Sequence, residues 1–173
     1  MSKTIMSKGS LQRLTISAMM LAISVILGLF KIPLSQVSEI RLQFLPIAVE
    51  GMLFGPLYGG IAGALSDILC YIVRPTGPFF PGFTISAAIQ GMIYGLMLYK
   101  SSSMPRIILA QVIDCIIVSL LLNPIWLMLL YGNAFIPMFI GRLPKVLIMF
   151  PINTVLLAAV IKPGRTLIRE RLT

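Results

Sequence analysis

Five charged side chains fall inside long apolar stretches of this chain: Glu50, Asp67, Asp114, Arg142 and Lys145. A charge at the centre of a membrane-spanning helix costs on the order of 2.5–3.5 kcal/mol on insertion scales, so each needs a partner, water or a ligand. Arg142 and Lys145 stand at i, i+3 and share a helix face. Two cations with no acid beside them suit an anionic ligand in an open cavity. The competing reading pairs them internally with Asp67 or Glu50. Asp114 reads as structural or as a partner contact. Asn123 and Trp126 lie level with Arg142 on the preceding apolar segment. Asn offers a donor and an acceptor to a heterocycle edge. Trp offers area and one N–H, and equally suits an interfacial anchor.

A second cluster sits in the run Arg74-Pro-Thr-Gly-Pro-Phe-Phe-Pro-Gly-Phe-Thr84 between two apolar segments. Its prolines and glycines fix the path of the chain and remove backbone donors that would otherwise need partners. Phe79, Phe80 and Phe83 present flat faces for stacking. The run is therefore expected to be a rigid, aromatic, largely uncharged loop that walls a ligand site. The alternative is an aromatic cap resting on lipid headgroups.

The elements that must position these residues are helices in a bilayer. The chain is 58% hydrophobic and 11% charged, where a soluble domain carries roughly a quarter charged residues. Mean hydropathy is +0.99. Lipid must cover part of that surface. Spans of mainly apolar residues are predicted at about 11–30, 42–54, 56–73, 85–99, 105–130 and 136–161, the second and fourth being short. Gly55-Pro56 alone separates the second from the third, which requires a tight turn. Pro124, Pro144 and Pro151 predict that the last two are kinked or start outside the hydrocarbon. The expectation is a single all-α integral membrane domain over residues 1–173, a compact bundle of six transmembrane helices.

The net charge of +9 is not a nucleic-acid signal, because Lys and Arg cluster at segment ends. With the N-terminus inside, nine cations (Lys3, Lys8, Arg13, Lys100, Arg106, Lys162, Arg165, Arg169, Arg171) face three outside (Lys31, Arg41, Arg74). That asymmetry predicts both termini in the cytoplasm. The first apolar run is long for a signal-peptide core and lacks a small-x-small cleavage site, so it reads as an uncleaved helix.

Small residues repeat at helical spacing in Gly51/Gly55, Gly59/Gly63 and Gly91/Gly95, which reads as close packing within the bundle. The pair Ala18/Ala22 gives the first helix a smooth face, suited to internal packing or to a second subunit. The chain has no His, and Cys70 and Cys115 stand alone in apolar runs, so neither a metal site nor a disulfide is expected. No phosphate-binding G-x-x-x-x-G-K-[ST] loop and no G-x-S-x-G elbow is present, which argues against an enzyme or a self-contained ATP-driven pump.

These residues resemble the substrate-binding S component of energy-coupling-factor vitamin transporters, and most closely the folate-specific branch. The branch-level signal is Gly77-Pro-Phe-Phe-Pro-Gly-Phe-Thr-Ile-Ser86, supported by Asn123-Pro-Ile-Trp-Leu127, Leu130-Tyr-Gly132 and Arg142-Leu-Pro-Lys145. Pro124 stands where the branch pattern has Thr. The resemblance implies a multi-pass protein of the bacterial cell membrane that binds folate or a reduced folate and needs no cofactor. It also implies a membrane-embedded coupling (T) subunit and two ABC-type ATPases as partners, docked through Ala18 and Ala22.

Folate fits the residues in its own right. Phe79, Phe83 and Trp126 are expected to sandwich its rings, with Phe80 in the same wall. Asn123, Gln90 or Asp67 would pair with the pterin edge. Arg74, Arg142 or Lys145 would meet the glutamate carboxylates, since charge-assisted pairs to Arg are strong and directional. An S component for pantothenate, or less readily thiamine, is the nearest alternative. A stand-alone secondary transporter would call for inverted repeats between the halves, and no convincing repeat is visible.

Overall fold

The computed structural model describes residues 8–30, 32–35, 38–40, 42–75, 78–99, 103–132 and 135–172. Helix α1 (Lys8–Leu29) is followed by an antiparallel hairpin of β1 (Ile32–Ser35) and β2 (Ser38–Ile40), then by α2 (Phe44–Phe54) and α3 (Pro56–Val73). Helix α4 (Pro81–Leu98) leads to α5 (Met104–Asp114), a π-helical segment (Cys115–Leu122) and α6 (Asn123–Tyr131). The last element is α7 (Phe135–Leu172). Helices α5 and α6 form one apolar rod through the π segment, so the path crosses the bundle six times, as expected. Among the described residues five helical stretches are long and apolar enough to span a membrane, and α2 is the shorter sixth.

Proline and glycine set the boundaries. Helices α3, α4, α5 and α6 each carry Pro in the first turn, where its missing N–H is not needed and its fixed φ suits a helix. Gly55, at φ +95°, is the single residue between α2 and α3, a conformation closed to most side chains. Gly132 closes α6 with a left-handed cap at φ +66°.

Two expectations change. The loop after α3 ends at Phe80, because Pro81 nucleates α4 four residues earlier than apolar periodicity alone suggests; Phe83 and Thr84 are helical. Where a kink is expected near Pro124, the backbone upstream of it is π-helical over Cys115–Leu122, so the ladder widens before a residue that cannot donate. Helix α7, by contrast, runs on through Pro144 and Pro151.

Helices α3 and α4 lie antiparallel with backbone touching backbone. A Cβ built on Gly59 would stand 2.5 Å from the carbonyl oxygen of Gly91, and one built on Gly91 would strike the carbonyl oxygen of Gly59. Gly63 meets the Ala87 carbonyl in the same way, and Gly51 of α2 lies against Gly95. The glycine pairs thus serve internal packing, where dispersion between close backbones replaces the hydrophobic drive that lipid removes. An apolar core (Phe44, Met52, Tyr94, Leu98, Ile107 and Leu157 among others) closes one end of the bundle between α2, α4, α5 and α7.

Helix α1 is held along one edge. Ser24 donates to the Gln43 carbonyl (3.1 Å) and lies 2.7 Å from the Ser66 hydroxyl. Leu11, Leu14, Met19, Ile23 and Ile26 face outward. Ala18 and Ala22 are exposed on that same outward side.

The α3–α4 seam yields a contrast. Gly91→Ala drives a methyl into main chain, which cannot yield, and should cost about 1–3 kcal/mol. Gly60→Ala meets the side chain of Met92 at 2.7 Å, and a thioether can swing away. Thermal unfolding in detergent should show a clearly larger loss of midpoint for Gly91→Ala than for Gly60→Ala.

Candidate functional site

Helix α4 carries two stripes of period four. Ala87, Gly91 and Gly95 face α3 and α2. Gly82, Ser86, Gln90 and Tyr94 face the rod of α5, the π segment and α6. The second stripe builds the site.

At its top the Trp126 indole lies across the first turn of α4. Its Nε1–H donates to the Ser86 hydroxyl at 2.9 Å. Phe80 packs against the indole with ring centroids 5.8 Å apart and against Phe83 at 6.1 Å, edge to face. These separations lie in the favourable range for aromatic pairs. Gly82 is the floor: a Cβ there would stand 2.5 Å from both Phe80 Cε1 and Trp126 Cδ2. Trp126 reaches Ser86 because helical side chains lean toward their own N-terminus, here down toward the middle of α4.

One turn further into the bundle, Gln90 Nε2 donates to Asp114 Oδ1 at 2.9 Å. The next turn brings the Tyr94 hydroxyl to Gln111 Oε1 at 3.2 Å. Asp114 and Tyr94 are buried, and Gln90 is half-buried. On the opposite side of α4, Thr84 donates to Asp67 Oδ2 of α3 at 2.9 Å, tying the first turn of α4 to its neighbour.

The expected residues therefore divide. Phe80, Phe83, Trp126 and Gln90 line one face of α4 and its partner rod. Asn123 is half-buried one turn below Trp126. Phe79 turns the other way and stacks on Tyr71 of α3 at 5.1 Å. Arg74 sits beyond α3, where its Nη1 donates to the Leu29 carbonyl at 3.0 Å and caps the end of α1. Arg142 is half-buried in the first part of α7. Lys145 lies one turn on, and its side chain is outside the described residues, as are Thr76 and Gly77 of the loop. Glu50 is buried on α2 and stands apart from the aromatic cluster.

Ser86 and Asp114 have clear places that spacing alone did not assign. The signal was the run Gly82, Ser86, Gln90, Tyr94, whose period of four marks a second small and polar face on α4. Among the described residues no group of three or more His, Cys, Asp and Glu side chains is placed to hold a metal ion.

Such a bundle defines a multi-pass, all-α membrane protein with aromatic and amide groups gathered between α4 and α6. The family model "ECF transporter, substrate-specific component" matches residues 12–161, and the chain belongs to that family of transport subunits. It is 40% identical over 141 residues to the folate transporter FolT of Clostridium novyi, a match that covers 81% of this chain and 82% of the relative. It is 30% identical over 143 residues to FolT of Leuconostoc mesenteroides, covering 79% and 77% respectively. Among solved structures it is similar to a crystal structure of FolT bound with folic acid, with TM-score 0.81 and 29% identity, covering 88% of this chain and 93% of that one.

The aromatic cluster has an optical reporter, since Trp126 is the one Trp in the sequence. Ser86→Ala leaves the buried end of the indole without its acceptor, at about 1–3 kcal/mol. Gly82→Ala forces the Phe80 and Trp126 rings apart. Both variants should alter the emission spectrum of Trp126 and lower the unfolding midpoint. An unchanged spectrum in both would contradict the contacts.

Proposed function

We propose that this chain is the folate-binding subunit of an ATP-driven energy-coupling-factor import complex in a bacterial plasma membrane. The observation that carries the reading is the cluster of Phe80, Phe83 and Trp126 floored by Gly82. It lies in a chain similar over most of its length both to folate transporters and to a FolT that binds folic acid. Flat rings with polar edges and a dicarboxylate tail match these aromatic faces, the amides of Gln90 and Asn123, and the cations of α7.

In this reading the pterin and aryl rings stack between Phe80, Phe83 and Trp126, with Phe79 at the rim beside Tyr71. Gln90 or Asn123 pairs with the pterin edge, and Asp67 takes a smaller part because it already accepts from Thr84 on the other side of α4. Arg142, with Lys145 one turn away, meets the glutamate carboxylates. Arg74 takes a smaller part, because its guanidinium already donates to the end of α1. The chain performs no chemistry on its ligand. A membrane-embedded T subunit docks on the Ala18/Ala22 face of α1, and two ATPases supply the energy. Both termini lie in the cytoplasm, and the Phe80 end of the bundle faces outward.

The purified chain should bind folic acid saturably without ATP or a partner, read as quenching of Trp126. Phe83→Ala should weaken binding roughly ten- to hundredfold, since base–aromatic stacking is worth about 1–3 kcal/mol per ring in other systems. Saturable binding of pantothenate with no response to folic acid would overturn the assignment.

Replacing Ala18 and Ala22 together with Trp separates capture from transport. Both residues are exposed and remote from the aromatic cluster. Folate binding by the isolated chain should survive. Uptake in cells supplying the T subunit and ATPases should fail at matched expression, because two indoles hold a partner helix away. A parallel loss of binding would mean that the alanines support the bundle instead.

A further inference from the structure

Asp114 has a place in the structure that the folate reading alone does not account for. It is 3% exposed, sits at the last turn of α5 immediately before the π segment, and accepts a hydrogen from Gln90 Nε2. A carboxylate in a spanning helix is costly and persists where it serves a purpose.

The purpose follows from the chemistry of an amide. A Gln side chain presents an oxygen on one side and an NH2 on the other, and the two orientations are nearly the same shape. A site that reads a heterocycle by its donors and acceptors must hold one of them. An ionised carboxylate only accepts, and the Nε2–H of Gln90 and the Tyr94 hydroxyl are the donors that favour that form here. Placed 2.9 Å from Gln90, Asp114 draws the NH2 toward itself and turns Oε1 the other way. Gln90 remains half-buried whereas Asp114 is not accessible. The face left for a ligand is therefore that of Gln90, one turn below the Ser86–Trp126 contact. The rung beneath, Tyr94 to Gln111, holds the same two helices in register.

We propose that Asp114 is a positioning residue that fixes the orientation of the Gln90 amide and thereby the donor–acceptor pattern presented to a ligand's heterocycle. The proposal rests on the folate-binding reading of the site. It makes the subunit selective between ring systems of one shape and different edge polarity, such as folic acid with its 4-oxo group and the 4-amino-4-deoxy analogue.

The test is the ratio of the two dissociation constants, measured by Trp126 quenching on the full-length chain in detergent. Asp114→Asn places an amide beside Gln90, which can donate as well as accept, so both orientations of Gln90 become available. The ratio should move by about tenfold toward unity, the worth of one mismatched hydrogen bond. Gln90→Ala should shift the ratio in the same way, and the double variant should shift it no further, because Asp114 affects the ratio through Gln90 while its contact with Tyr94 holds the helix pair. Should Asp114→Asn not fold, Gln90→Ala alone decides: a ratio equal to wild type overturns the proposal. Equal weakening of both ligands in Asp114→Asn, or fully additive effects in the double variant, also overturns it and makes Asp114 only a support of the helix pair. Wild-type protein that binds neither compound overturns the folate reading itself, whereas wild-type binding with an unmoved ratio in the variants removes only this inference.

Discussion

The contact between the backbones of α3 and α4 governs the arrangement of the molecule. Where Gly59 meets Gly91 and Gly63 meets Ala87, no side chain separates the helices. In a bilayer, helices gain nothing by hiding apolar surface from a solvent that is itself apolar. Close approach, and the dispersion that comes with it, has to serve instead. Because main chain cannot yield, the seam also fixes the rotation of α4 about its own axis. The period-four stripe of Gly82, Ser86, Gln90 and Tyr94 is thereby aimed at the rod of α5 and α6.

The site follows from that rotation and from a second local device. A regular α-helix from Met104 to Tyr131 would keep one register against α4 throughout. The π segment interrupts it between Asp114, which holds Gln90, and Trp126, which holds Ser86. The lower rungs belong to a buried polar ladder and the upper one to an aromatic cluster. The rod returns to α-helix at Asn123, with Pro124 in the first turn of α6, where no donor is needed. π-Helical widenings recur at functional sites, and here one of eight residues lies between the two layers of the ligand-facing surface.

Much of this was legible in the residues. Apolar length gave the six crossings, Gly55-Pro56 gave the tight turn, and the glycine pairs gave internal packing. The aromatic run pointed to Phe80, Phe83 and the Trp126 that meets them. What escaped was rotation about helix axes, which spacing within one helix cannot specify. Phe79 and Phe80 are neighbours in sequence, yet one stacks on Tyr71 and the other on Trp126. Spacing does not show that the Arg74 guanidinium, in the loop after α3, also caps the end of α1. The start of α4 lies earlier than apolar periodicity shows, because Pro81 and Gly82 have loop composition and only their contacts reveal a helix initiator and a ring floor. The hairpin of β1 and β2 was not foreseen, since Ile32-Pro-Leu-Ser35 is too short to show an alternating pattern.

Helix α1 is joined to its neighbours by Ser24, by the small residue Gly28 wedged against Gln43 and Cys70, and by the Arg74 cap on Leu29. These three lie in its final third, and Ser17, nearer its middle, meets Glu50 of α2. Earlier in the helix, Leu11, Leu14, Met19 and Ile23 look outward. The helix is held along one edge, with its firmest clamp at one end, and is bedded in acyl chains along its outer side. Its resting angle is then set jointly by the clamp and by the thickness and stiffness of the surrounding lipid, since mismatch between helix and bilayer is commonly relieved by tilt. A detergent micelle supplies a different bedding, and the same sequence would hold α1 at a different inclination there.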